Sequence, residues 1–423
     1  MGLAGLWWAH GCTFLVGGVL AWRAGRAGVP LGFALGSLWL YTWFTPVLLW
    51  WRGEGSIAGL AYAAHLPEML GVYGVGVGVF VATWAALPTA TETRWVRQVW
   101  DGVRPGRLWA LLGLYLGLFL TGLWVQGIPL AAWFSPGRSD TVLNLFGYHW
   151  KVPLVDKALD GLITLGYLLP ASHALGWLAL PLCLVLFALA GFRYRTLLLV
   201  GGLLLAALLR TQTRGQRLVA LGLCAVAATG MAWLTLNRLN VSARLYKKWD
   251  YNLAQFDARL LANETNNSQT FGVLLGHYHA WGGRPDGWGA SPHFVAVRAL
   301  PKALWPGGQK PVAPLLGNIR AAYDATPAGA QLHPAVSNLE EYYLGYGMWG
   351  VVLGMAALAW LCRQLARLGP LMPLGTFFLW QLISRGYLPQ QVDLAVFLAL
   401  PVGLLYLWQR YGSSAPLLPR RHG

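Results

Sequence analysis

Charge is what this sequence has least of. Only 11% of its 423 residues are Asp, Glu, Lys or Arg, against roughly a quarter in a soluble domain. So sparse a supply cannot cover a solvated globular surface. With 56% hydrophobic residues and a mean hydropathy of +0.49, the chain reads as a membrane protein. Acidic residues are scarcer still, 15 against 31 basic ones for a formal charge of +16, a balance that suits anionic lipid or an anionic substrate. No compact basic domain is present to hold nucleic acid, so none is expected as a partner. Cysteine is nearly absent too: Cys12, Cys183, Cys224 and Cys362 all fall in apolar runs, which argues against disulfides and metal–thiolate sites. Internal repeats, low-complexity tracts and nucleotide-binding fingerprints are missing. Gly71, Gly74, Gly76 and Gly78 imitate a phosphate loop only superficially; inside an apolar span they suit close helix packing.

What is there is a series of apolar runs near the 20 or so residues that cross a bilayer. They lie at Leu3–Trp22, Leu31–Trp51, Pro67–Leu87, Leu108–Phe134, Leu159–Leu169, Leu175–Phe192, Thr196–Leu209, Leu218–Leu236, Ser337–Leu361, Leu371–Leu382 and Val392–Trp408. The expectation is an all-α polytopic integral membrane protein with about 11 transmembrane helices. The first run contains His10 and lacks a basic leader and a small-residue cleavage signature, so it reads as a retained helix.

Basic residues in short loops mark the cytoplasmic side. An outward N-terminus leaves Arg23, Arg26, Arg94, Arg97, Arg104, Arg107, Arg210, Arg214, Arg217, Arg363, Arg367, Arg410, Arg420 and Arg421 inside, fourteen in all. Outside fall seven: Arg52, Arg138, Lys151, Lys157, Arg193, Arg195 and Arg385. This orientation depends on a chain break at Pro170-Ala171-Ser172-His173, which has the proline and small residues of a tight turn.

On that topology, residues 237–336 form one external loop, far longer than an ordinary connection and so expected to be functional. A shorter external segment, Ser135–Lys157, is rich in aromatic and charged residues. The simplest partition is a single membrane domain, 1–423, with an elaborated outer face.

The long loop carries Arg238, Arg244, Lys247, Lys248, Arg259, Arg284, Arg298, Lys302, Lys310 and Arg320 against five acidic residues. Such a loop is either plain solvated surface, since long loops translocate regardless of charge, or a diphosphate site. In the second case Arg gives bidentate contacts and Lys a point charge. Its aromatic residues, Trp281 and Trp305 among them, suit either the apolar faces of sugars or the membrane interface. His277, His279 and His293 have no nearby carboxylate motif to complete a metal site, so no metal is expected.

Two further segments are more specific. The first is Leu300-Pro301-Lys302-Ala303-Leu304-Trp305-Pro306, followed by Lys310-Pro311. The second is Ser337-Asn338-Leu339-Glu340-Glu341-Tyr342-Tyr343-Leu344-Gly345-Tyr346-Gly347-Met348-Trp349-Gly350, running directly into a helix. Together they resemble the oligosaccharide repeat-unit polymerase family, which includes the bacterial O-antigen polymerases. Glu341, Tyr343, Tyr346, Gly347 and Gly350 sit on the family's Glu-x-Tyr and aromatic–Gly-x-x-Gly positions, while Gly345 stands where an asparagine is common. Arg214-Gly215 and Arg385 also resemble family features. The motif match covers about residues 300–350.

The resemblance implies a GT-C-like membrane glycosyltransferase. It would polymerise polyprenyl-diphosphate-linked oligosaccharide repeat units at the periplasmic face of a bacterial inner membrane, in lipopolysaccharide or related polysaccharide biosynthesis, without a cofactor. Membrane lipids and a chain-length regulator are the other implied partners. The reaction needs cations for the departing diphosphate and a base for the acceptor hydroxyl. For the cations the candidates are Arg298, Lys302, Lys310, Arg244 and Arg385. For the base they are Glu341, His293 and His279, with a helix-capping carboxylate as the other reading of Glu341. Trp281, Trp305 and Tyr343 are the candidate sugar contacts. An O-antigen ligase and a lipid or oligosaccharide transporter without chemistry remain the rival classes.

Overall fold

The computed structural model describes residues 3–57, 60–88, 91–125, 127, 153–189, 193–211, 213–236, 266–280, 294–295 and 335–411. These are almost entirely helical, as the apolar runs require. With no water in hydrocarbon to satisfy the peptide groups, only helices and closed barrels cross a bilayer. Six helices among the described residues are long and apolar enough to do so. The chain is an all-α membrane protein, organised as two compact units.

The first unit takes residues 1–91, 254–368 and 375–393. It contains α1 (Leu3–Arg23), α2 (Val29–Trp39), α3 (Thr45–Trp51) and α4 (Leu66–Ala86). A π-helical turn, Leu40–Phe44, joins α2 to α3. Its cause is Pro46, which has no N–H and whose ring crowds the carbonyl four residues back. The hydroxyls of Thr42 and Thr45 donate to Leu38 O and Leu40 O beside it. A two-residue hairpin, β1 (Ser56–Ile57) with β2 (Leu60–Ala61), then leads through a 3-10 turn at Ala63–His65 into α4.

The second unit takes residues 92–253, 369–374 and 394–423. It holds α5 (Arg94–Asp101), α6 (Pro105–Val125), α7 (Pro153–Ser172), α8 (Ala179–Leu189), α9 (Arg193–Arg210) and α10 (Arg214–Leu236). The break expected at Pro170 is present: α7 ends at Ser172, and His173 Nδ1 accepts from Leu175 N at 3.0 Å to start the next turn. Gly176 is fitted to that reversal, because a Cβ there would lie 2.1 Å from Leu169 O. Arg195, counted above as a loop cation, is instead fully buried. It donates from Nε to Asp160 Oδ1 at 2.9 Å and is also paired with Asp156.

Returning to the first unit, residues 266–280 from the long segment expected as an external loop include a helix, α11 (Asn267–Ala280), whose side chains are mostly buried. After it come α12 (Asn338–Leu365) and α13 (Met372–Ser384), and α14 (Leu388–Tyr411) begins within the same unit. Of the four glycines read as packing glycines on α4, Gly76 alone meets a neighbour among the described residues: a Cβ would come within 2.5 Å of Leu339 and 3.2 Å of Val351 on α12. Gly71, Gly74 and Gly78 have open space there. All four cysteines are free.

The resemblance glycines have a direct physical reason. α12 is bent at Gly347, whose φ of 65° and ψ of −151° lie in a region essentially confined to glycine. At Gly350 a Cβ would stand 2.3 Å from Tyr342 O, so the two pieces of helix meet closely only with glycine there. Gly347→Ala is expected to destabilise the protein by roughly 1–3 kcal/mol through the strained backbone. A lower thermal midpoint in detergent, with insertion unchanged, is the result to look for; a midpoint equal to the parent's would remove the argument.

Candidate functional site at the helix ends of the first unit

The N-terminus of α12 is fixed by its own sequence. Ser337-Asn338-Leu339-Glu340 is a capping box, in which the two ends satisfy each other's free N–H groups. Ser337 Oγ accepts from Glu340 N at 3.3 Å, and Glu340 Oε2 accepts from Ser337 N at 2.6 Å. The remaining oxygen, Glu340 Oε1, accepts from Tyr73 OH of α4 at 2.7 Å. Glu340 is fully buried, so this carboxylate locks α12 onto α4.

Its neighbour does something different. Glu341 is 2% exposed, and its Oε2 accepts from Tyr387 N. Tyr387, with φ of 82°, is the non-glycine residue with positive φ among the described residues, so Glu341 holds a strained turn. Gly386 N donates to Val336 O in the same place, and a Cβ on Gly386 would press within 2.9 Å of Val336. The turn Arg385–Tyr387 is thus clamped against the start of α12, with Arg385 exposed at its head. Two residues singled out from sequence, Glu341 and Arg385, are brought to one spot by it. The helix-capping carboxylate is Glu340; Glu341 lies one residue further on and reaches the turn.

Two asparagines tie the same helix ends together. Asn267 Nδ2, at the start of α11, donates to Ser384 O at 2.7 Å, and Asn338 Nδ2, at the start of α12, donates to Leu382 O. Both carbonyls belong to the last turn of α13, where helical acceptors lack intrahelical donors. The start of α4, the start of α12 and the end of α13 therefore meet at one end of this unit, with α11 across them.

There His279, in the last turn of α11, finds the carboxylate that its sequence neighbourhood lacks. Glu68, in the first turn of α4, accepts from His279 Nε2 through Oε2 at 2.8 Å and from Tyr343 OH through Oε1 at 2.8 Å. His65, three residues before Glu68, stacks on His279 with ring centroids 5.4 Å apart and planes 19° apart. Spacing of three on a helical turn brings His65 and Glu68 to one side. Phe271 meets the Tyr343 ring edge-on at 5.7 Å and backs the cluster. The His279 side chain is 59% exposed and that of Glu68 31%, so the group is open to solutes while its base is packed.

Close approach of α11 to the start of α4 depends on two glycines one turn apart. A Cβ on Gly272 would lie 2.7 Å from Tyr62 Cβ and 3.0 Å from Met69 Sδ, and one on Gly276 would lie 3.1 Å from His65 Nε2. Neither Glu68 nor His65 was among the residues singled out by sequence. The signal for Glu68 was its position: a carboxylate inside an apolar run is a functional hypothesis in its own right.

Of the sequence candidates, Glu341, His279, Tyr343 and Arg385 are described here, and all four belong to this end of the first unit. His293, Arg298, Lys302, Lys310, Arg244, Trp281 and Trp305 lie outside the described residues. Arg214 opens α10 in the second unit and is exposed. Chemically, the cluster offers a carboxylate, two imidazoles and a phenol around one open point, with a guanidinium on the clamped turn. No family model, curated protein or solved structure matches the chain.

Proposed function

We propose that this chain is a GT-C-like membrane glycosyltransferase, spanning the bilayer about eleven times, that polymerises polyprenyl-diphosphate-linked oligosaccharide repeat units at the periplasmic face of a bacterial inner membrane. The observation that carries the reading is the meeting of Glu68, His279 and Tyr343. It joins a residue of the polymerase-like segment to a helix from the long loop between the eighth and ninth apolar runs. The charge-derived orientation gives a second support: the starts of α4 and α12 and the end of α13 all fall on its outer side.

In the reaction, the bond between the anomeric carbon of the growing glycan and its diphosphate oxygen breaks. A hydroxyl of the incoming repeat unit forms the new glycosidic bond, and polyprenyl diphosphate departs. The acceptor hydroxyl loses its proton at the His279–Glu68 pair, where Tyr343 fixes one carboxylate oxygen. Arg385, exposed on the turn held by Glu341, is the candidate cation for the departing diphosphate, alongside the sequence candidates Arg298, Lys302, Lys310 and Arg244, which lie outside the described residues. Glu341 acts as a positioning residue, because its carboxylate is buried against Tyr387. No nucleotide cofactor is required, since the energy of the bond is carried by the lipid diphosphate.

Complementation of a polymerase-deficient strain tests this. The parent gene should restore a lipopolysaccharide ladder, and His279→Ala should reduce chains longer than one unit by roughly 100-fold, the lower range for loss of proton transfer. Full complementation by His279→Ala at equal protein levels would remove the cluster from the reaction. A transporter without chemistry has one observation in its favour, the buried Asp160 and Arg195 with the part-exposed Asp156 in the second unit, because intramembrane charges mark transport paths. That reading is favoured instead if the parent gene fails to extend chains but restores export of single repeat units.

A further inference from the structure

We infer that His65, Glu68 and His279 form a binding site for one divalent transition-metal ion of the zinc class. One ligand atom from each residue lies within 4.8 Å of the others. Around a tetrahedral zinc with bonds of about 2.0–2.2 Å, ligand atoms stand about 3.3 Å apart. The 2.8 Å contact from His279 Nε2 to Glu68 Oε2 needs to open by only a few tenths of an ångström, and small side-chain rotations bring His65 to the same point. Two imidazoles and one carboxylate, with a side left open, are the donor set of catalytic rather than structural zinc.

Two features beyond the ligands support the assignment. Tyr343 OH donates to Glu68 Oε1 at 2.8 Å, which orients the carboxylate and leaves Oε2 for the ion, the arrangement expected of an outer-shell partner. Gly276 gives the His65 ring its room, since a Cβ there would sit 3.1 Å from Nε2. The ligands come from α11 and from the 3-10 turn and first turn of α4, which approach closely through Tyr62, Met69 and Gly272, so the geometry is largely prepared before the ion arrives. Hard-ion chemistry is disfavoured: magnesium and calcium prefer all-oxygen shells, whereas two imidazoles select zinc and its neighbours.

The role of the ion rests on the glycosyl-transfer reading above. An ion held there would lower the pKa of an acceptor hydroxyl at its open side, and in the loaded protein the His279–Glu68 pair would hold the ion while the proton went to solvent, instead of taking the proton itself. That specifies how the His279–Glu68 pair acts.

The test uses the full-length protein, purified in detergent without a histidine tag and stripped with chelator. Zn2+ is then titrated against a competing chelator, and Co2+ is added for its visible absorption. One equivalent per chain is expected, with d–d bands from the cobalt form. His65→Ala and His279→Ala should each weaken Zn2+ by more than about 100-fold, while Tyr343→Phe, which keeps the ring packing, should weaken it about 10–100-fold. No Zn2+ uptake at micromolar free metal overturns the site, as does uptake that is the same in parent, His65→Ala and His279→Ala. Both results are independent of activity. Zn2+ binding by the parent alongside a full ladder from His279→Ala would remove the cluster from the reaction and leave the metal site standing, whereas a parent gene that binds Zn2+ but restores no ladder would overturn the glycosyl-transfer reading alone.

Discussion

Replacing Asp160 by alanine is expected to destabilise the second unit substantially, with about 3–5 kcal/mol, the cost of leaving a buried partner charge wholly uncompensated, as the upper bound. Asp160 Oδ1 accepts from Arg195 Nε at 2.9 Å and from Tyr194 OH at 2.9 Å. Arg195 is fully buried, so water cannot take over the lost contact. Asp156 still pairs with the guanidinium, which keeps the cost below that of stripping the charge completely. Cys183 offers a local readout: its thiol is fully buried beside α7, within 3.8 Å of Leu162 O. In a background with Cys12, Cys224 and Cys362 changed to serine, a thiol-reactive dye should report Cys183 at a clearly lower temperature in Asp160→Ala. Asp160→Asn keeps an acceptor and should fall between. Identical melting of all three would mean that the ion pair contributes nothing to this unit.

Glu340→Ala is the second large effect, and it strikes the first unit. The substitution removes a capping carboxylate, worth about 1 kcal/mol, and leaves Tyr73 OH buried without its acceptor, a further penalty of roughly 1–3 kcal/mol. A total of roughly 2–4 kcal/mol is expected. Tyr73→Phe removes the donor instead and should cost less, because the capping box survives. The double variant should therefore show less than the sum of the two, since both act on one hydrogen bond. Cys362, fully buried on α12, serves as the reporter thiol here, in a background lacking the other three. Additive losses would show that the Tyr73–Glu340 bond does not join α4 to α12 energetically.

These two carboxylates show how far the sequence could be read. Ser337-Asn338-Leu339-Glu340 is a capping box on its face, because the reciprocal bonds span three residues along one chain. The partner of Glu341, a backbone N–H 46 residues away, carries no such local mark. The turn at Pro170 was legible for the same local reason, whereas the burial of Arg195 was not, since its counter-ions lie 35 and 39 residues back on another helix. Counting Arg195 as a loop cation treated it as solvated, and pairing with Asp160 removes it from water.

The sequence by itself determined that this chain lives in a membrane and is helical: a scarcity of charge suits a bilayer, and apolar runs of about twenty residues fit spanning helices rather than the shorter strands of a barrel. It also singled out Gly347 through the aromatic–glycine pattern, though the bend there came only with the structure. Only the tertiary structure decided that His279 belongs with Glu68, 211 residues earlier in the chain, and with His65. Hydropathy and capping act over a few residues, so they can be read along the chain. A cluster assembled from three helix ends is set by which glycines let those helices touch, and that is a property of packing in space.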